Sequence, residues 1–154
     1  MLLLENSASG GNKCAGTLEE IGRFVREIGS ARVGVCLDTA HLWASGYDIS
    51  TPQGVKRMLA EADRHIGLAN VRVLHVNDTQ VNLGARHDLH WHIGDGKIGR
   101  RGFKALFSAR ALRHVACICE TPRTAEMDRW NVRTAKALAR LQRSGTKPKQ
   151  KVKK

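Results

Sequence analysis

Seven side chains that carry the donor atoms of a divalent-metal site fall in four stretches of the sequence. They are Glu5; Asp38 with His41; His75, Asp88 and His90 in the run from HVND (75–78) to RHDLHWH (86–92); and Glu120. Each stretch begins at or just past the end of an apolar, β-rich run: LLLE, VGVCLD, VRVLHVND and VACICE. A carboxylate or imidazole at the C-terminal end of a parallel strand faces the side where α/β proteins keep their chemistry. Four such ends in succession point to one shared site, and oxygen and nitrogen donors of these types suit zinc or a similar divalent ion.

Taken singly, the motifs differ in strength. Glu5 precedes the small-residue loop SASGGNKCAG, suited to close backbone approach by a ligand. Asp38 and His41, spaced Asp-x-x-His, can project into one loop, although the spacing alone is common. A lone strand histidine such as His75 is more often a hydrogen-bonded core residue than a ligand. Asp88 and His90 form the sharper pair, because residues i and i+2 of an extended segment share a face. His87 and His92 are secondary. Asp78 reads as a group that supports ligands rather than as a ligand. Glu120, before Thr121-Pro122, has the competing reading of a strand-end acid that caps the next helix. Collectively the structural readings weaken, because gathering several carboxylates and imidazoles at one sheet face without cations is costly.

The elements that must position these groups alternate. Strand-like segments near 2–5, 33–38, 71–77 and 115–120 are interleaved with helical patterns. The first helix is expected over 17–29, with Thr17 and Glu20 forming a capping box and Leu18, Ile21, Val25 and Ile28 on its apolar face. The second is expected over 52–66, entered through Pro52. The third is expected over 102–113. The fourth, over 124–142, places Trp130, Val132, Ala135, Leu138 and Leu141 on its apolar side. The order βαβαβαβα predicts a parallel sheet with right-handed crossovers. Four βα units make half of an eight-stranded barrel and leave two unpaired strand edges.

The 154-residue chain fits one domain. Residues 1–143 are expected to form it, with 144–154 as a disordered lysine-rich tail. A formal charge of +12 favours a polyanionic partner such as nucleic acid. No apolar run approaches the roughly 20 residues of a membrane span. The four cysteines lack zinc-ribbon spacing; Cys36, Cys117 and Cys119 read as reduced core residues, which favours a cytoplasmic location.

At the ligand residues the chain resembles the endonuclease IV family of zinc-dependent apurinic/apyrimidinic endonucleases. The matching segments are LLLENSASGGNKCAGTLEEIG, GVCLDTAHLWASGYDI, LHVNDTQVNLGARHDLHWHIGDGKIG and CETPR, in order across roughly 2–123. The resemblance implies a (β/α)8 TIM barrel of which about four C-terminal βα units are present. It implies three zinc ions. Glu5 would bridge two of them, Asp38, His75 and Glu120 would complete the second, and His41, Asp88 and His90 would hold the third. About two sites are then complete in this chain. Glu5 and Glu120 are the catalytic candidates, and Arg86 with the glycine-rich loops around 84–102 the candidates for substrate phosphates. The implied activity belongs to DNA base excision repair. It is hydrolysis of the phosphodiester 5′ to an abasic site in double-stranded DNA by a metal-activated hydroxide, absent or weak in this chain alone. An N-terminal half-barrel chain or a second copy would be the partner. Two other readings stand beside this one. A sugar isomerase or epimerase of the xylose-isomerase-like barrels would use Glu5, Asp38, His75 and Glu120, but has no use for the His41, Asp88 and His90 triad. A non-catalytic nucleic-acid-binding remnant would fit the basic charge.

Overall fold

The computed structural model describes residues 1–140; Leu141 and the lysine-rich tail expected at 144–154 lie outside the described residues. Four strands, β1 (Leu2–Glu5), β2 (Val33–Asp38), β3 (Val71–His75) and β4 (Ala116–Ile118), form a wholly parallel sheet in sequence order. The helices are α1 (Leu18–Ile28), α2 (Thr39–Ala44), α3 (Pro52–His65), α4 (Gly99–Ser108) and α5 (Ala125–Arg140). The expected alternation is present, with α2 inserted between β2 and α3. This is a partial TIM barrel of four βα units.

Local chemistry accounts for the elements. Thr17 accepts the Glu20 amide at 3.1 Å while the Glu20 carboxylate accepts the Thr17 amide at 3.1 Å, so the expected capping box starts α1. Gly29 ends α1 in the left-handed region, φ 57°, and its N–H donates to Val25. Thr51 caps α3 ahead of Pro52. Gly22 of α1 lies against the His65 carbonyl of α3, where a Cβ would come within 2.2 Å, so this helix pair approaches closely only because position 22 is glycine.

The core lies between the sheet and the helices and includes Leu18, Ile21, Val35, Leu37, Val71 and Phe103, all fully buried. Each such side chain contributes roughly 1.5–3 kcal/mol by leaving water. The edges differ. β1 pairs only with β2 and β4 only with β3, and Leu2 and Ile118 on these edges are 64% and 47% exposed. The unpaired edges expected from the sequence are therefore present among the described residues. No helix among them is long and apolar enough to cross a membrane.

Several expectations need correction. β3 ends at His75, two residues early, so Val76 and Asn77 lie beyond the strand. α4 starts at Gly99 and stops at Ser108, followed by a separate 3-10 turn at Arg110–Leu112. α5 buries Asn131, Thr134 and Leu138, whereas Trp130 and Val132 are 38% and 41% exposed. A polar residue thus takes the inward position that the apolar pattern assigned to its neighbours. Cys36 is buried as expected, but Cys117 is exposed because β4 is an uncovered edge.

Asp78 organises the loop that follows β3. Its carboxylate accepts backbone N–H groups from Thr79, Gly94, Gly96, Ile98 and Gly99 at 2.8–3.1 Å. Its own backbone pairs with Trp91. Burial pushes the carboxyl above the usual range while these amides oppose that shift. Asp78→Ala would leave the buried donors without their acceptor, so a loss of roughly 3 kcal/mol or more is expected in urea unfolding. A loss below about 1 kcal/mol would show that the loop does not depend on this carboxylate.

Candidate metal centre

The strand register delivers the ligand candidates. Asp38 ends β2 opposite His75, which ends β3, and Glu5 ends β1 opposite Cys36. Glu120 lies two residues beyond β4. Within this face, Glu5, Asp38, His75 and Glu120 bring one ligand atom each to within 4.8 Å of one another. His75 Nδ1 lies 3.0 Å from Glu5 and 2.9 Å from Glu120.

A second cluster adjoins the first. His41 Nε2 and His90 Nε2 stand 3.4 Å apart, and Asp88 Oδ1 lies 3.2 Å from the former and 3.3 Å from the latter. Asp38 Oδ2 is 3.6 Å from His90, so this buried carboxylate borders both clusters. Asp88 and His90 do share a face, as their spacing predicted. The Asp38–His41 pair is placed differently from expectation. Asp38 is the N-cap of the short helix α2, accepting the His41 amide at 2.9 Å, and His41 projects from the helix rather than from a loop. Glu120 does not cap α5; Thr124 accepts the Met127 amide there, which leaves the Glu120 carboxylate facing His75.

Two buried asparagines outside the ligand candidates hold this arrangement. Asn6 Oδ1 accepts the Asp38 amide at 2.6 Å, and its Nδ2 donates to the Asp38 carbonyl at 3.2 Å. Asn77 Nδ2 donates to Asp38 Oδ2 at 2.6 Å, and its Oδ1 accepts the Glu120 amide at 2.8 Å. Their sequence signal is position: each stands within two residues of a strand-end candidate, in LLLEN and HVND.

The imidazoles are set for metal ligation. His41 Nδ1 is 2.7 Å from the Asn6 carbonyl and His90 Nδ1 is 3.1 Å from the Glu120 carbonyl. A carbonyl only accepts, so both Nδ1 atoms carry protons when the rings are neutral, and both Nε2 lone pairs face the cluster. Glu5, Asp38, Asp88 and Glu120 have no lysine or arginine within ion-pair distance among the described residues. Four converging carboxylates without a cationic side chain fit one or more divalent ions. Cys36 also approaches Glu5 and His75, but burial first, and then the neighbouring carboxylates, push its thiol up to about 12. The thiol therefore stays protonated while no cation offsets these carboxylates.

Other sequence candidates stand apart. Arg86 is exposed, with φ 54° and its amide on the Ala44 carbonyl. His87 is exposed, and His92 bonds to Asn131. The glycine amides at 94, 96 and 99, expected among the phosphate contacts, are taken by Asp78. The SASGGNKCAG loop is approached by the protein itself, since the Arg86 carbonyl occupies the space where a Gly10 Cβ would be.

The fold and this placement define a partial TIM barrel with its site at the C-terminal ends of the strands. The chain belongs to the xylose isomerase-like TIM barrel family, whose model matches residues 1–144. Its similar curated relatives carry the name "Probable endonuclease 4". That from Methanoculleus marisnigri is 45% identical over 123 residues, covering 79% of this chain and 44% of the relative. That from Chloroflexus aggregans is 40% identical over 144 residues, covering 92% and 50%. The crystal structure of endonuclease IV from Thermus thermophilus superposes with a TM-score of 0.81 at 40% identity, covering 91% of this chain and 50% of that one. The chain thus spans about half the length of the relatives it matches.

Titration of His41 offers a test of the site's electrostatics. Burial lowers its pKa, but Asp38, the Asn6 carbonyl, Asp88 and Glu5 outweigh burial, and the net shift is upward. A raised folded-state pKa adds stability that is fully present below the ordinary value near 6.5 and is lost as pH rises through the folded value. The metal-free chain should therefore lose melting temperature as pH rises from about 6 through the elevated His41 pKa. In His41→Gln that slope should flatten; an identical slope would assign it to another group.

Proposed function

We propose that this chain forms part of a zinc-dependent endonuclease of DNA base excision repair, hydrolysing the phosphodiester 5′ to an abasic site in double-stranded DNA. The observation that carries this reading is the second cluster. An isomerase with one ligand quartet needs only Glu5, Asp38, His75 and Glu120, whereas here His41, Asp88 and His90 also converge within 3.4 Å beside it. The names of the relatives support the same reading.

In this reading Glu5, Asp38, His75 and Glu120 hold one ion, and His41, Asp88 and His90 hold a neighbour. Bound zinc supplies Lewis-acid polarisation of the phosphodiester and lowers the pKa of water. The protein's part is to orient donors and exclude competing contacts. Asn6 and Asn77 fix Asp38 from both sides, and two backbone carbonyls fix the His41 and His90 rings. Glu5 and Glu120 flank His75, and the scissile phosphate would enter beside these partly exposed carboxylates. Arg86, on the loop just before Asp88, would meet the DNA backbone. The net charge of +12 favours the same polyanion.

Zinc titration of the chain should reveal about two tight sites, with one lost in His90→Ala. Nicking of a labelled duplex carrying a single abasic site should be weak for the chain alone. It should rise when the other half of a full-length relative is added, and collapse in Glu120→Gln by about 100-fold or more. Interconversion of an aldose and a ketose in place of nicking would sink the proposal.

A further inference from the structure

Asn131 lies outside both ligand clusters, on α5, and is fully buried. Its Oδ1 accepts the Ile93 amide at 2.9 Å. Its Nδ2 lies 2.8 Å from Thr121 Oγ1, 2.9 Å from the Met127 carbonyl and 3.1 Å from His92 Nδ1. A backbone N–H can only donate, and a carbonyl can only accept. The Ile93 amide and the Met127 carbonyl therefore fix which end of the side-chain amide is oxygen and which is nitrogen. Nδ2 has two protons for three neighbours, and the nearer Thr121 Oγ1 and Met127 carbonyl take them first. His92 Nδ1 still faces a nitrogen that cannot accept, which favours the neutral ring with its proton on Nε2.

These partners sit next to ligand candidates. His92 and Ile93 follow His90 by two and three residues, and Thr121 directly follows Glu120. The two segments also meet through His90 Nδ1 and the Glu120 carbonyl at 3.1 Å. Trp91 and Trp130 flank the His92 ring at centroid distances of 5.1 and 6.1 Å, which restricts its rotation. One buried amide on α5 thus clamps the loop that presents His90 to the chain end that presents Glu120. These two candidates belong to different clusters.

We infer that Asn131 is a positioning residue that sets His90 and Glu120 in register and holds His92 as its Nε2–H tautomer. The inference rests on the metal-centre reading above for its functional consequence, and its hydrogen-bonding half can be read without any metal. In histidine-selective nitrogen NMR of the metal-free chain, His92 is expected as the Nε2–H tautomer. In Asn131→Asp an acceptor oxygen replaces the NH2 group, and His92 should move to the Nδ1–H tautomer. An Nδ1–H tautomer in the unsubstituted chain, or no change in Asn131→Asp, overturns the inference.

Zinc competition reads the positioning half. Asn131→Leu and Asn131→Asp should each weaken zinc binding by about 10–100-fold and alter the visible spectrum of the cobalt-substituted chain. The control Arg133→Ala, on an exposed position of the same helix, should change neither. Unchanged zinc affinity and cobalt spectrum in the Asn131 variants overturn the inference; should Asn131→Leu fail to fold, Asn131→Asp decides. If the unsubstituted chain binds no zinc, the metal-centre reading falls by itself. The positioning claim then stands only if the His90 ring signals of the metal-free chain shift in Asn131→Asp, and falls if they do not.

Discussion

The carboxylate of Asp38 is the constraint on which the rest of the site depends. It is fully buried, and an isolated buried carboxylate would cost several kcal/mol. Asn77 and the His41 amide bind its two oxygens, while Asn6 binds its backbone on both sides. Each of these partners belongs to a different part of the sheet's C-terminal face. Asn6 follows β1, Asn77 follows β3, and His41 lies in the first turn of α2. Satisfying the side chain and backbone of this one residue therefore stitches three strand ends together. Asn77 extends the stitch to the fourth by accepting the Glu120 amide.

Asp78, the next residue, makes the same kind of contact in a different direction. Its carboxylate gathers five backbone amides of the following loop, and its backbone pairs with Trp91. The segment that carries Asp88 and His90 is consequently bounded by a rigid loop although it has no regular structure of its own. Consecutive residues after β3 thus divide the work between the strand ends and the loop. The result is a set of carboxylates whose mutual repulsion has no lysine or arginine among the described residues to relieve it, an environment that favours cations.

Much of the scaffold was legible in the sequence because local rules determine it. The α1 capping box, Pro52 at the start of α3 and the apolar strand runs each depend on neighbouring residues, and each appears where expected. The failures have physical causes. The helix α2 is only six residues long and is nucleated by Asp38, which read as a ligand and therefore not as a cap. In α5 the apolar pattern pointed to Trp130 and Val132, but the inward face is chosen by hydrogen bonds from Asn131 to distant segments. The loop glycines resembled a phosphate cradle, yet their amides are consumed by Asp78, a partner 16 to 21 residues earlier in the chain.

The sequence by itself determined the candidate donor types, the places of Glu5, Asp38 and His75 at strand ends and the parallel βα order, because all three follow from residue chemistry and short-range periodicity. Whether His41, Asp88 and His90 would meet was a tertiary question. Their imidazoles and carboxylate come from a helix turn and a loop separated by 47 residues or more, and only the packed sheet sets that distance. Which imidazole nitrogen faces the cluster was likewise decided by carbonyls of Asn6 and Glu120, far away in the chain. Spacing can nominate donors, but the direction of a lone pair depends on what the other side of the ring touches.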